Sequence, residues 1–269
     1  MGEYKNFCLS FDIDWAPDEV LKFCFKPVIN NKIHATIFLT HMSPYLKELI
    51  DNYSNLFEFA VHPNFNPLFS KSTNKTISSI LKDIIKIIPT CVGVRAHSHI
   101  SSSQIMNAYE RFGLIYESSI YVFNEENLHP LPYSKNFLRI PHFFQDDAHF
   151  IRNIPMELKT INYKSRGLKV FDFHPIHIFI NTKNLDHYNS AKKYYKNPYK
   201  LQNYINESTK GILDLYNQVI ELFINKQKSI KSWAYLEELP IWTDQKNHIL
   251  KLIDRKKDGS GVKIWGDID

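Results

Sequence analysis

The 269-residue chain reads as an α/β protein built on a parallel sheet with helical crossovers, and three observations predict it. An apolar fraction of 43% can fill a substantial core. Short β-rich runs alternate with stretches of helical periodicity, in about five strand-then-helix units. Polar residues capable of chemistry follow the ends of those runs, and in parallel α/β folds the C-terminal strand ends converge on one face. The pattern leaves two architectures open, a barrel or a doubly wound sheet.

The first strand covers Asn6 to Phe11, and Asp18 to Asn31 follows with apolar residues at helical spacing. His34 to Thr40 is a second strand, and Ser43-Pro44 marks the N-cap and first turn of a helix to about Asn52. Phe57 to Val61 is a third strand that delivers His62 to Pro67 into a loop, and Thr76 to Ile88 is helical. Cys91 to Arg95, a helix over Ser101 to Phe112, and a fifth strand near Tyr116 to Ser119 complete the repeat. From Asn124 to Tyr163 four prolines interrupt the pattern, which predicts loops over the mouth of the fold with a short strand at Phe137 to Ile140. Leu168 to Phe173 is a strand that runs into His174-Pro175 and continues through Ile180. Residues 186–206 are polar and tyrosine-rich, an excursion that reads as a lid or an oligomer contact. Thr209 to Ile224 is a strong amphipathic helix, Trp233 to Leu239 a short segment, Gln245 to Lys256 a helix, and the tail from Lys257 is loose. No composition shift or repeat divides residues 1–269, so one domain is expected.

Composition excludes several classes. The net charge of +5 comes from scattered basic residues with no basic-aromatic platform, which argues against nucleic-acid binding. Cys8, Cys24 and Cys91 lie far apart and predict neither a disulfide framework nor a CxxC metal site. No apolar run reaches the roughly 18 residues needed to span a bilayer, and the first residues lack a signal-peptide pattern. The expectation is a cytoplasmic enzyme with no membrane span.

Ser10-Phe11-Asp12-Ile13-Asp14-Trp15 is the stretch that draws attention. Asp12 and Asp14 sit two apart at a strand end, so both are expected to leave one face. Neighbouring carboxylates resist joint ionisation without a cation or donor, which makes the pair a start for a metal or acid/base site. The plainer reading is that one of them caps the helix beginning near Pro17-Asp18. His62 after the third strand, Arg95 and His97 after the fourth, and His174 after a late strand join the pair. Each has a structural alternative as turn cap, solvated side chain or hydrogen-bonded core histidine.

In that order the motifs resemble the NodB-type polysaccharide deacetylases of carbohydrate esterase family four, and more closely the WbmS-like branch associated with bacterial surface-polysaccharide clusters. Ser10 to Asp14 stands at the family's Thr-Phe-Asp-Asp motif, Ala60 to Asn66 at its His-x-x-x-His/Asp motif, and Val94-Arg95-Ala96-His97 at the third. Tyr116-Glu117-Ser118-Ser119 resembles a core-strand Asp-Ser-Ser, and Phe173-His174-Pro175 the last motif. The resemblance implies a distorted (β/α) barrel of about seven parallel strands, with Asp12 as base, Arg95 orienting it and His174 as acid. It implies Asp14, His62 and Asn66 as metal ligands, the cation being zinc, with cobalt or nickel as alternatives. Asn66 departs from the usual second His; its neutral amide is a poorer zinc ligand, and His41 is a possible replacement. Trp15, His97, Arg139, His142, Asp146 and Asp147 are candidates for substrate contact.

The resemblance implies a metal-dependent hydrolase that removes an N-acyl group, acetyl first among them, from a sugar in lipopolysaccharide or capsule biosynthesis. A cytoplasmic location favours a nucleotide- or lipid-linked sugar. Two alternatives stand beside it: a metal-independent hydrolase of another C–N bond, and a catalytically silent relative that binds a sugar or a partner protein.

Overall fold

A computed structural model describes residues 5–70, 74–226, 251, 252 and 254. Five parallel strands form first: β1 (Lys5–Asp12), β2 (Ala35–Leu39), β3 (Phe57–Val61), β4 (Gly93–Val94) and β5 (Tyr116–Glu117). Helices α1 (Asp18–Asn30), α2 (Pro44–Tyr53), α3 (Ile77–Ile85) and α4 (Ser103–Arg111) cross between them. The local chemistry explains these limits. Ser43 Oγ accepts from the Leu46 N–H with Pro44 in the first turn, and Thr76 and Ser79 cap α3 reciprocally. Strands β2 and β3 are buried at every position, so neither shows an alternation of buried and exposed side chains.

The hydrogen-bonded order is β6-β7-β5-β4-β3-β2-β1-β9-β8, where β6 is Leu131–Pro132, β7 Leu138–Arg139, β8 Phe144–Gln145 and β9 Gly167–Phe173. Strand β7 pairs parallel with β5, and β8 pairs parallel with β9 on the far side of β1. Both belong to one stretch, residues 138–145. The Ile140 N–H donates to Glu117 O, the His142 N–H to Ile120 O and the Phe143 N–H to Val170 O. That stretch therefore crosses from β5 to β9 and closes the sheet into a distorted barrel. Among the described strands β6, antiparallel to β7, stands outside the ring.

Two expectations are corrected. Residues 124–163 are not only loops over the mouth: they supply the closing stretch and a helix, α5 (Asp146–Ile151). Strands of two residues are too short to show a period. The run after His174 is not more strand but a helix, α6 (Pro175–Phe179), with Pro175 in its first turn. The tyrosine-rich excursion folds as α7 (Leu185–Lys192) and α8 (Pro198–Leu201), and α9 (Ile212–Lys226) packs on α6. Trp233 to Leu239, the tail from Lys257 and most of Gln245 to Lys256 lie outside the described residues.

Inside the ring, Cys8, Phe38, Ala60, Ile115, Tyr116, Leu138 and Val170 form one apolar cluster, while a larger one lies between sheet and helices. Gly93 is required by this filling, because a Cβ there would lie 2.2 Å from the Tyr116 ring. Tyr116 Oη donates to Glu58 Oε1 at 2.6 Å, and Thr36 Oγ1 donates to Glu58 Oε2 at 2.8 Å. Among the described residues no helix is long and apolar enough to cross a membrane.

Candidate active site

The polar layer begins where the interior cluster ends. Arg95 is fully buried, its guanidinium 4.2 Å from the centre of the Phe38 ring. Its Nε donates to Ser118 O at 2.8 Å, and Nη1 donates to Asp12 Oδ1 at 3.0 Å and to Asp172 Oδ1. Ser10 Oγ also donates to Asp172 Oδ1, at 3.0 Å. One cation thus serves two buried carboxyls. Burial pushes Asp12 up, but the charges of Arg95, His62 and His174 outweigh it and hold the group below the usual carboxylate range. For Asp172 burial wins over Arg95, and the charge on Asp12 adds to it, so this carboxyl sits well above its ordinary value. Of the two carboxyls Asp12 is held low and Asp172 pushed high, so Asp12 is the first of the pair to lose its proton.

Strand β1 stops at Asp12, and the chain then turns: Asp14 and Trp15 have φ of 39° and 59°, in the left-handed region. The Trp15 N–H donates to Thr40 Oγ1 at 2.9 Å. Asp14 is therefore not carried on the strand face beside Asp12, as two-residue spacing predicts; the turn places it, and both acids still line one cavity. Ser98 and His99 repeat the left-handed conformation in the turn after β4. Non-glycine residues held there are uncommon and collect at functional sites.

These two turns bring three side chains together. Asp14 Oδ1 lies 3.2 Å from His62 Nε2 and 3.0 Å from His97 Nδ1, and one ligand atom of each fits within a 4.8 Å group. Burial raises the Asp14 carboxyl, but hydrogen bonds with the two imidazoles and the His174 charge take it well below its usual value. His62 is buried; Asp14 is the neighbour of its Nε2, and its Nδ1 has only Asp12 Oδ1, 3.7 Å away and outside hydrogen-bond reach. A buried imidazole left in that state is costly unless something binds it. One carboxylate and two imidazoles are a donor set suited to zinc or a similar cation, so the residues fit the group the family resemblance implies.

Across the cavity stands His174, the residue before α6. Its backbone N–H donates to Asp146 Oδ2 and its Nδ1 to Asp146 Oδ1, both at 2.7 Å. Burial pulls the imidazolium down, but the charge and hydrogen bond of Asp146 and the charge of Asp14 outweigh it and hold it well above the usual histidine range. The cavity, of about 400 Å³, is lined by Asp12, Asp14, His62, His97, Asp147 and His174 among others. Burial pushes Asp147 up to about 6.

Several expected site residues sit elsewhere. Asn66 is exposed; its amide donates to Ser98 Oγ at 3.4 Å and its backbone N–H to Asn64 Oδ1, so His97 takes the place beside Asp14 and His62 that was expected of Asn66. His97 belongs to this group and also lines the cavity. His41 faces Thr40 Oγ1 at 3.0 Å. Arg139 is held by buried Glu117 on the neighbouring strand, and His142 is fully buried between Tyr121 and His99; neither lines the cavity. Asp146 is fully buried and faces His174, not the cavity. Trp15 and Asp147 are at cavity walls. The residue that sequence reasoning missed is Asp172, and its signal is an acid in the middle of the apolar strand Val170-Phe171-Asp172-Phe173.

Residues 9–192 match the WbmS-like polysaccharide deacetylase family. Among solved structures, a protein described as a polysaccharide deacetylase involved in O-antigen biosynthesis, WbmS of Bordetella bronchiseptica, is 31% identical. The match covers 82% of this chain and 91% of that one, with a TM-score of 0.75. The peptidoglycan deacetylase PdaC of Bacillus subtilis, as a D285S mutant, matches over 96% of both chains at 13% identity and a TM-score of 0.47, too distant to bear on this chain's chemistry. No curated protein gives a match.

Proposed function

The chain belongs to the WbmS-like polysaccharide deacetylase family, a family of carbohydrate deacetylases, and on that premise we propose that it removes an N-acyl group from a sugar used in surface-polysaccharide assembly. The observation that carries the reading is a buried base and a buried acid facing one cavity. Asp12 is kept ionised by Arg95, and His174 is kept protonated by Asp146. The sugar is nucleotide- or lipid-linked and handled in the cytoplasm, and O-antigen assembly, named for the Bordetella neighbour, is the favoured setting.

Asp14, His62 and His97 would hold a divalent cation, zinc in the first instance. Bound there, it would polarise the acyl carbonyl and acidify a water. Asp12 accepts the proton of the attacking water, and Arg95 fixes its carboxylate orientation through Nη1. When the C–N bond breaks, the nitrogen lone pair needs a proton, and His174 supplies it from Nε2, which points away from Asp146. Asp146 then carries the charge that keeps the imidazole ready for the next turnover. The products are a carboxylate and an amino sugar.

The test is direct. Purified protein supplied with zinc, cobalt or nickel is expected to release acetate or formate from an N-acyl sugar, and Asp12→Ala to lower the rate by about 10²–10⁴-fold. No release from any N-acyl sugar, together with an unaltered cellular phenotype for Asp12→Ala, overturns it.

A further inference from the structure

Beside the catalytic cavity lies a second of about 410 Å³, and Asp14 and His97 line both. The rest of its wall is Trp15, Tyr188, Lys192, Tyr195 and Lys196, the last four from α7 and the turn after it. Three features of this wall have no role in deacetylation chemistry. Lys192 and Lys196 are exposed at the cavity, and neither has an ion-pair partner among the described residues. Lys192 Nζ lies only over the Tyr188 ring, 5.6 Å from its centre. The Tyr195 hydroxyl is buried without a hydrogen-bond partner, a state that costs free energy until an acceptor arrives. Trp15, 36% exposed, is held in its left-handed turn with its ring edge-on to His97 at 5.3 Å.

The wall thus offers two ammonium groups and a hydroxyl, beside an aromatic face next to the reacting centre. Such a set calls for a ligand with several anionic acceptor oxygens attached to the sugar that reaches Asp14. We infer that this cavity is a subsite for a phosphoryl group carried by the sugar substrate, with Lys192 and Lys196 as charge partners, Tyr195 as hydroxyl donor and Trp15 as the surface under the ring. A nucleotide diphosphate and an isoprenyl diphosphate share that chemistry. The inference rests on the deacetylase reading for its sugar, but the subsite is tested by binding alone.

The probe is inorganic diphosphate, titrated calorimetrically into the full-length, metal-loaded protein. Lys192→Gln combined with Lys196→Gln is expected to weaken binding about tenfold, the sum of two exposed charge contacts. Lys193→Gln, whose side chain packs on Tyr194 outside the cavity, is the control and keeps wild-type affinity. Equal affinity in the double variant and wild type overturns the subsite, as does an equal loss in the control. Tyr195→Phe is expected to weaken diphosphate about threefold with no loss of thermal stability, since its hydroxyl has no partner to lose. UDP binding more tightly than diphosphate supports the subsite and assigns a nucleotide carrier; geranyl diphosphate doing so supports it and assigns a lipid carrier. Lysine-dependent diphosphate binding in a protein that releases no acyl group leaves the subsite standing and removes the deacetylase reading.

Discussion

Asp146 grips His174 at two points, accepting its backbone N–H and its Nδ1 proton at 2.7 Å each. The two residues are 28 positions apart, one opening α5 and the other standing just before α6. The clamp fixes the tautomer, so a proton on Nε2 faces the cavity.

Replacing Asp146 by Asn keeps the shape and removes the charge. His174 is raised above its ordinary value of 6.5 in the folded protein, so its stabilising contribution is complete below that pH and is lost as pH climbs through the folded value. Asp146→Asn is therefore expected to cost more thermal stability at pH 6 than at pH 9. The alkaline limb of the rate profile should move to lower pH, with kcat down at least about tenfold. Melting curves and a pH–rate series on the same preparations check both.

Asp172 predicts the opposite sign. A carboxyl raised in the folded state binds its proton more tightly there than in the unfolded chain, so its contribution to stability falls as pH rises above 3.8 toward the folded value. Asp172→Asn supplies a neutral side chain of the same shape. Its melting temperature relative to wild type should rise between pH 4 and pH 8, by about 2–4 °C for each kcal/mol. A loss that grows with pH would mean that Asp172 is ionised beside Arg95.

The choice of third metal ligand is settled by substitution. His62→Ala and His97→Ala should each weaken zinc binding at least about tenfold, while Asn66→Ala retains wild-type affinity. Competition with a chromophoric chelator reads the difference, and it needs no substrate. Loss of zinc in Asn66→Ala with retention in His97→Ala would reverse the assignment.

Gly93→Ala tests how the barrel filling supports the site. The added methyl meets Tyr116, whose hydroxyl is held by Glu58. A cost of about 1–3 kcal/mol is expected, as for overpacking of a filled core. Chemical denaturation measures it, and a change below about 0.5 kcal/mol would show that the Tyr116 ring moves aside freely.

Much of this was legible along the chain because the signals are local. The run of strand and helix through β5 follows from periodicity and caps such as Ser43 and Thr76, which act within a few residues. Family resemblance, carried by Asp12, His62, Arg95 and His174, added the barrel and the roles. The short strand expected at Phe137 to Ile140 is β7, but the crossing on to β8 has no local signal, because each half of residues 138–145 pairs with a different strand over only two residues. His174 to Ile180 defeated periodicity for another reason: a short apolar run has no period that separates buried strand from buried helix.

The sequence by itself determined the parallel α/β class, the strand ends at which chemistry could sit, and the acid and base candidates, since each depends on residue type and spacing nearby. Tertiary structure alone decided that His97, 83 residues from Asp14, stands with it where Asn66 was expected. It also set opposite environments for Asp12, held low, and Asp172, pushed high, and placed two lysines beyond α6 at the same mouth as Trp15. Left-handed turns, barrel closure and the sharing of one buried guanidinium are relations between distant segments. Their free energies come from burial and contact that no local pattern encodes.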